Sequence, residues 1–248
     1  MMKYRNWIGI AFLLMACLPA YAFNTVDEQI DHYLGILAGD DLNAKVHMLK
    51  RLKWKGLSDP RLYDEIEDAP ANQYLIKKFD KPTLVDLGHK IRALGYSGNP
   101  KYKPTLVNIQ NDAPNKKLRK YAQKALVDLD RFTRWNPLIA ESEVQVEGKS
   151  VEITTYFKML NVADSTVQRF AAEAIFDANL QDSELLDAVA EKLKMMHAQP
   201  DLDKLAMDTA AWFIKDLGQN GGYQDLLTEV NQNTPHKKLK KYSIKYIQ

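Results

Sequence analysis

The residues best placed to do chemistry in this chain belong to a short basic run that occurs twice. Residues 116–121 are Lys-Lys-Leu-Arg-Lys-Tyr, and residues 237–242 are Lys-Lys-Leu-Lys-Lys-Tyr. In a helix, the leucine and tyrosine fall on one face and the basic side chains on the other. A recurrent basic face would attract an acidic partner. The predicted partner-binding residues are Lys116, Lys117, Arg119, Lys120, Lys237, Lys238, Lys240 and Lys241. The alternative is an ordinary solvated face, which in the second copy would cap the last repeat.

Other side chains that commonly carry chemistry are not spaced for it. The five histidines are His32, His47, His89, His197 and His236. They lack the spacing of a zinc motif, and the chain contains neither a P-loop nor a nucleophile elbow. The acidic residues between 59 and 68 lack the spacing of a calcium loop. We therefore expect no metal site, no cofactor and no catalytic residue.

The first 22 residues have the pattern of a secretory signal peptide. Lys3 and Arg5 precede an apolar run at 7–18, and residues 20–22 are Ala-Tyr-Ala. Cleavage after Ala22 would leave residues 23–248 as one periplasmic or secreted domain without cysteine. The alternative is a lipobox at residues 14–17, with the only cysteine, Cys17, lipidated and tethering the protein to a membrane.

The charge balance excludes one class of partner. The chain has 34 basic and 32 acidic residues, and without Lys3 and Arg5 the basic count is also 32. A generic nucleic-acid binder is normally strongly basic, so we expect no nucleic acid as a partner. No segment after residue 22 approaches the ~20 apolar residues of a transmembrane helix.

The elements that position the basic runs are predicted to be helices. Apolar residues recur at helical spacing in four stretches, 117–129, 166–178, 204–217 and 238–248. Asp59-Pro60, Asn99-Pro100 and Asp182-Ser183 are helix-start signals, and Ser165 with Gln168 fits a capping box. Trp54, Trp135 and Trp212 are predicted to be packing residues.

One segment departs from helical periodicity. Residues 143–153, Glu-Val-Gln-Val-Glu-Gly-Lys-Ser-Val-Glu-Ile, alternate apolar and polar side chains around a Glu-Gly-Lys-Ser turn. This pattern predicts a short β-hairpin inserted between helices.

The basic runs belong to longer duplicated segments, 93–126 and 216–247. With a two-residue gap they share Leu-Gly, a following Gly, a tyrosine, a leucine, a proline and the basic run. The first segment resembles a HEAT-like repeat, on the residues Ala93-Leu94-Gly95, Pro100, Tyr102, Leu106, 117–122 and Ala125-Leu126. The resemblance recurs at 170–187, 209–227 and, more weakly, 49–66, so it covers most of residues 42–248. It implies an all-α fold, an α-solenoid of antiparallel helix pairs carrying the hairpin near 143–153.

The resemblance is to a class of repeat, and such repeats mostly serve as protein-binding or scaffolding surfaces. We therefore expect a non-catalytic interaction module of the bacterial cell envelope whose partner is another envelope or secreted protein, through the concave face or the basic face. Some HEAT-like proteins resemble lyases that attach bilin pigments, so an accessory subunit or lyase-like enzyme acting on a bound ligand is one alternative. A lipid-tethered envelope assembly factor is the other.

Overall fold

The computed structural model of the chain describes residues 23–144 and 146–247. Within them it contains twelve α-helices and no β-strand. The helices are α1 (Val26–Ala38), α2 (Leu42–Arg51), α3 (Pro60–Gln73), α4 (Lys81–Tyr96), α5 (Lys103–Asp112), α6 (Lys116–Ala140), α7 (Val151–Asn161), α8 (Ser165–Asp177), α9 (Ser183–His197), α10 (Lys204–Asn220), α11 (Gln224–Asn233) and α12 (Lys237–Ser243). Short 3₁₀ helices span Leu52–Trp54 and Pro100–Tyr102. The all-helical prediction is confirmed.

Most helices begin where a short polar side chain accepts a hydrogen bond from the first turn. Asp59 caps α3, which starts with Pro60, and Asp182 caps α9, as the sequence predicts. The capping-box prediction at Ser165 is wrong. Asp164 is the cap of α8, while the Gln168 amide donates to backbone carbonyls of the preceding turn at 160–162.

The helices form two layers. The even layer consists of the even-numbered helices, in which α2, α4 and α6 pack side by side, as do α8, α10 and α12. The odd layer consists of the odd-numbered helices, with α1, α3 and α5 adjacent and α7, α9 and α11 adjacent. Each odd helix also packs against the even helix that follows it in the chain. Each odd-numbered helix and the even-numbered helix that follows it thus form one packed pair.

Helices within a layer run in the same direction, since a residue farther along one helix contacts a residue farther along its neighbour. In the even layer Arg92 pairs with Asp128 and a Cβ on Gly88 would touch Tyr121. In the odd layer the Asp64 carboxylate accepts a hydrogen bond from the Tyr102 hydroxyl. Farther along both segments, the Glu67 carboxylate accepts one from the Thr105 hydroxyl. Within each half of the chain, α1–α6 or α7–α12, the turns that join the two helices of each pair therefore lie along one edge. We call this the short-turn edge; it comprises residues 39–41, 74–80 and 113–115 in the first half and 162–164, 198–203 and 234–236 in the second.

Buried apolar residues form two cores, and α6 contributes to both. Its first half supplies Leu118, Ala122 and Leu129 to the first core, and its last part supplies Phe132 and Trp135 to the second. The two halves meet through rings, because Phe132 stacks on Phe170 of α8 at 5.9 Å. One helix of 25 residues is thus shared by the two cores.

The predicted β-hairpin at 143–153 is wrong. Gln145 lies outside the described residues; the others form an irregular segment with a turn at Glu147-Gly148, followed by α7 from Val151. Ser150 caps this helix by accepting from the Ile153 N–H. Tyr156, Met159 and Leu160 then pack into the second core at helical spacing. Burial of that face outweighs the strand preference of the β-branched residues before it.

The two duplicated segments adopt the same order of elements. Residues 93–126 run from the end of α4 through α5 into α6, and residues 216–247 run from the end of α10 through α11 and α12. The shared glycines serve close helix packing. A Cβ on Gly95 would lie 2.5 Å from the Ala125 carbonyl oxygen, and a Cβ on Gly218 would overlap the Tyr246 ring. The duplication therefore preserves the spacing between neighbouring helices of the even layer.

Candidate functional site

The eight predicted basic residues lie at the starts of α6 and α12. Lys116, Lys117 and Lys120 are exposed, as are three of the four in the second copy, Lys237, Lys240 and Lys241. Arg119 instead donates to the carbonyls at the end of α5, and Lys238 pairs with Asp208. The Lys240 ammonium also donates to the Gln232 carbonyl at 3.4 Å. Three of the eight side chains therefore have partners within the fold.

The structure does not bring the two basic runs together. Helix α6 packs against α4 and α5, whereas α12 packs against α10 and α11. Each run lies at the short-turn edge of its own half, since even helices begin there. They are thus two separate basic groups.

A second candidate surface lies on α8, α10 and the end of the chain, where cations rest on aromatic rings. We call it the aromatic–lysine patch: Phe176, Trp212, Lys215, Tyr242 and Lys245. The Lys215 ammonium lies 3.4 Å from the centroid of the Trp212 ring, with the Phe176 and Tyr242 rings at 5.9 and 5.4 Å. Phe176 meets Trp212 edge-on at 5.6 Å. The three rings are half-buried, so each keeps surface open to solvent.

The patch has positive charge without a matching carboxylate. Among the described residues, neither Lys215 nor Lys245 forms an ion pair, although Asp177, Asp208 and Glu173 nearby are paired with other cations. Tryptophan and tyrosine are enriched among the residues that contribute most at protein interfaces, and a cation over an aromatic ring is attracted to its face. The patch can therefore bind an apolar surface bearing carboxylates.

Sequence reasoning missed this patch. Trp54 and Trp135 are buried, which confirms their predicted packing role, but Trp212 is only half-buried. Trp212 and Lys215 fall off the apolar stripe of α10, which runs through Thr209, Phe213 and Ile214. Their absence from that stripe is the available sequence signal.

An open pocket of about 650 Å³ lies between the two halves of the molecule. Its wall combines the turn after Trp54, the turn at Gly98–Pro100, the end of α6 and one face of α7. Asn136 of α6 holds these segments together, because its amide lies 3.0 Å from each of the carbonyl oxygens of Tyr96 and Ser97. The pocket wall is thus fixed by a buried side chain.

One side of this pocket contains a buried ion pair. Lys55, whose side chain is 5 % exposed, pairs with Glu152 of α7 and donates to the Tyr156 hydroxyl at 3.0 Å. Burial lowers the pKa of Lys55, and the neighbouring carboxylate opposes that shift. Burial alone would raise the pKa of Glu152, but Lys55 outweighs it and lowers that pKa. Both hydrogen bonds that the Lys55 ammonium donates connect the first half of the chain to α7.

Asp216 of α10 is a buried acid of a different kind. It is fully buried, and neither of its carboxylate oxygens has a hydrogen-bond partner among the described residues. Burial raises the pKa of Asp216 well above its usual value of 3.8, with only Lys215 opposing. The duplicated segment has Ala93 at the corresponding position, also fully buried. Asp216 is therefore an acid whose pKa is raised by burial, in a site that alanine fits.

The described residues contain no group of three or more histidine, cysteine, aspartate or glutamate side chains that could hold a metal ion. None of the helices in that part of the chain is long and apolar enough to cross a membrane. The predicted signal peptide, the cleavage site after Ala22 and the lipobox at Cys17 lie outside the described residues. No protein-family model matches the chain, and no curated protein matches it either.

Proposed function

We propose that this chain is a non-catalytic scaffold, an α-solenoid of HEAT-like helix pairs, that binds another protein through the aromatic–lysine patch. The observation that carries the proposal is Lys215 resting on three half-buried rings without an acid to neutralise it. Stacked helix pairs offer an extended surface to which several neighbouring units contribute. The patch spans three such units, since its rings come from α8, α10 and α12.

The partner surface is expected to combine apolar groups with carboxylates. The open edges of Trp212 and Tyr242 supply apolar area, and Lys215 and Lys245 supply positive charge. Charges that stay uncompensated in the free protein steer an acidic partner and fix its orientation. We place this interaction in the bacterial envelope on the strength of the predicted signal peptide. Mass spectrometry of the mature N-terminus separates a soluble form that begins at Phe23 from one lipidated at Cys17.

The test is site-specific photo-crosslinking in the host cell. A benzophenone amino acid replaces Tyr242 in the patch or, as the control, Met195, which is 65 % exposed in the odd layer. One dominant adduct is expected from position 242 and none from position 195. Lys215→Glu should abolish that adduct while leaving the thermal unfolding curve in place. Equal adducts from both positions, or an adduct indifferent to Lys215→Glu, would reject the patch as the binding surface.

The pocket between the halves favours a second candidate, an accessory subunit or lyase-like enzyme that holds a small ligand. Its volume of about 650 Å³ suits a small organic molecule, and Thr155 and Lys158 of α7 supply polar groups on its wall. Native mass spectrometry of protein isolated from the host should then show an added mass. Thr155→Trp, which fills the pocket, should remove it. A mass equal to that of the chain alone would eliminate this candidate.

A further inference from the structure

The turn between α3 and α4 exposes two adjacent large apolar side chains. Leu75 is 59 % exposed and Ile76 is 46 % exposed, although Tyr74 and Phe79 on either side pack against the first core. The Ile76 N–H donates to the Gln73 carbonyl at 3.0 Å, which shapes the turn. The ends of the turn are thus anchored, and its tip presents leucine and isoleucine to solvent. Their exposure contributes nothing to the fold.

Positive charge flanks this apolar tip along the chain and on one neighbouring turn, whereas the turn on its other side carries the exposed Asp40 and Asp41. Lys77 and Lys78 follow the tip directly and are exposed, and Lys81 begins α4. The turn between α5 and α6 lies beside it on the short-turn edge, because α5 packs on α3 and α6 packs on α4 in parallel. This neighbouring turn contributes the exposed Lys116, Lys117 and Lys120 of the first basic run.

The charge of the two turns is strongly unbalanced. Residues 74–81 and 112–120 contain seven basic side chains against two acidic ones, Asp80 and Asp112. Asp80 caps α4 by accepting from the Thr83 N–H at 2.8 Å. Arg119 is bound to the carbonyls of Ala113 and Pro114. The remaining six cations are the lysines, which flank an apolar tip.

We propose that this part of the short-turn edge binds the surface of an anionic lipid bilayer, with Leu75 and Ile76 entering the interface and the lysines contacting headgroup phosphates. An amphipathic surface of this kind gains from apolar burial and from attraction to anionic lipid at once. A polyanion such as nucleic acid would engage the lysines but would leave the apolar tip in water, so the tip favours the bilayer. This inference goes beyond the proposed function and uses a different surface, since the aromatic–lysine patch lies on α8, α10 and α12.

The test is co-sedimentation of the full-length protein with vesicles. Vesicles of phosphatidylcholine are compared with vesicles containing about one third phosphatidylglycerol. The wild type should bind the anionic vesicles, and Leu75→Ser/Ile76→Ser should weaken that binding about tenfold or more. Lys77→Gln/Lys78→Gln should weaken it about as strongly. The control is Leu138→Ser, which removes an equally exposed leucine (51 %) near the end of α6 and should change nothing.

A direct measure of insertion uses Leu75→Trp. Its added tryptophan emission should shift to the blue when anionic vesicles are present, and the same shift should be missing with phosphatidylcholine alone. Unchanged binding of Leu75→Ser/Ile76→Ser, or no emission shift in Leu75→Trp, overturns the proposal. Binding lost only with the lysine replacements also overturns it and indicates an acidic macromolecule at this edge instead. Every variant carries the same N-terminal residues, so differences between variants report on the turn.

Discussion

Replacing Asp216 with alanine should stabilise the protein at neutral pH. The Asp216 carboxyl group is fully buried in α10 and both of its oxygens lack partners. A buried polar group without a hydrogen bond costs about 1–3 kcal/mol relative to its hydrated state in the unfolded chain. Ala93 occupies the corresponding position of the first copy and is equally buried. The chain therefore already shows that a methyl group suits this environment, and we expect Asp216→Ala to gain about 1–3 kcal/mol near pH 4. The gain should be larger at pH 7, because deprotonation of the unfolded wild-type chain adds to it.

The gain should depend on pH in a defined direction. Burial raises the pKa of Asp216 in the folded state well above 3.8. Above pH 3.8 the unfolded chain releases this proton while the folded chain retains it, so the unfolded state binds fewer protons. The stability contributed by the raised pKa is complete below the unfolded value and is lost as pH rises toward the folded value. The loss amounts to about 1.4 kcal/mol per pH unit in that window.

The assay is urea unfolding of wild type and Asp216→Ala at several pH values between about 4 and 8. The difference between the two free energies of unfolding isolates Asp216 from other titrating groups, and it should grow as pH rises. Asp201→Ala, at an exposed position in the turn before α10, is the control, because it removes an aspartate that is not buried. A variant less stable than wild type at pH 7, or a difference independent of pH, would refute the reasoning about this buried acid.

Three further substitutions test the packing of the molecule. Glu152→Gln should cost about 3–5 kcal/mol in urea unfolding, because it leaves the Lys55 ammonium buried without its counter-charge. The double variant Lys55→Met/Glu152→Leu should recover most of that loss. Additive losses would contradict this reasoning. Gly95→Ala should lower the free energy of unfolding by about 1–3 kcal/mol, since the added Cβ would overlap backbone atoms. Gly35→Ala should raise the free energy of unfolding by about 0.5–1 kcal/mol, because the space around Gly35 is open. Changes of the same sign for both variants would be inconsistent with this packing. Asn136→Ala should cost about 2–3 kcal/mol in thermal or urea unfolding, because the Leu57 carbonyl of one turn and the Tyr96 and Ser97 carbonyls of another lose their donor. A loss under about 0.5 kcal/mol would show that this amide does not hold the pocket wall.

The helices could be predicted from the sequence because their signals are local. Asp59-Pro60 and Asp182-Ser183 are cap and first-turn residues whose hydrogen bonds stay within a few positions. The apolar stripe of α6 through Leu118, Ala122 and Leu129 follows from helical geometry alone. At Ser165 the same local logic failed, since Asp164 competes for the same N–H groups and takes them.

The hairpin error has a tertiary cause. Val151 to Thr155 is rich in β-branched residues, which taken alone favour a strand. Tyr156 and Leu160 nevertheless lie on the face that meets the second core, and Glu152 lies one turn before Tyr156, where it reaches Lys55. A helix satisfies all three contacts at once. No pattern within residues 143–153 contains that information, because Lys55 lies about a hundred residues away and the rest of the second core lies outside this segment.

The binding surfaces divide in the same way. The repeated basic run could be recognised from residue types, but the sequence could not show that Arg119 and Lys238 would bond within the fold. Trp212 and Lys215 become a candidate site only when α8 brings Phe176 to one side and α12 brings Tyr242 to the other. Likewise, Leu75 and Ile76 become part of a candidate binding surface only because the fold places Lys116 and Lys117 on the neighbouring turn.

The sequence by itself determined the helical class, the duplication and the positions at which most helices start, since these depend on propensity, caps and periodicity within a few residues. Only the tertiary structure decided which helices are neighbours, which acid is buried without a partner and which exposed groups share a surface. Those outcomes depend on contacts between residues far apart in the chain, and burial and distance set their energies. Asp216 and the half-buried Lys215 illustrate the difference: one residue along the helix separates a carboxyl group buried without a partner among the described residues from an ammonium group that lies on the Trp212 ring.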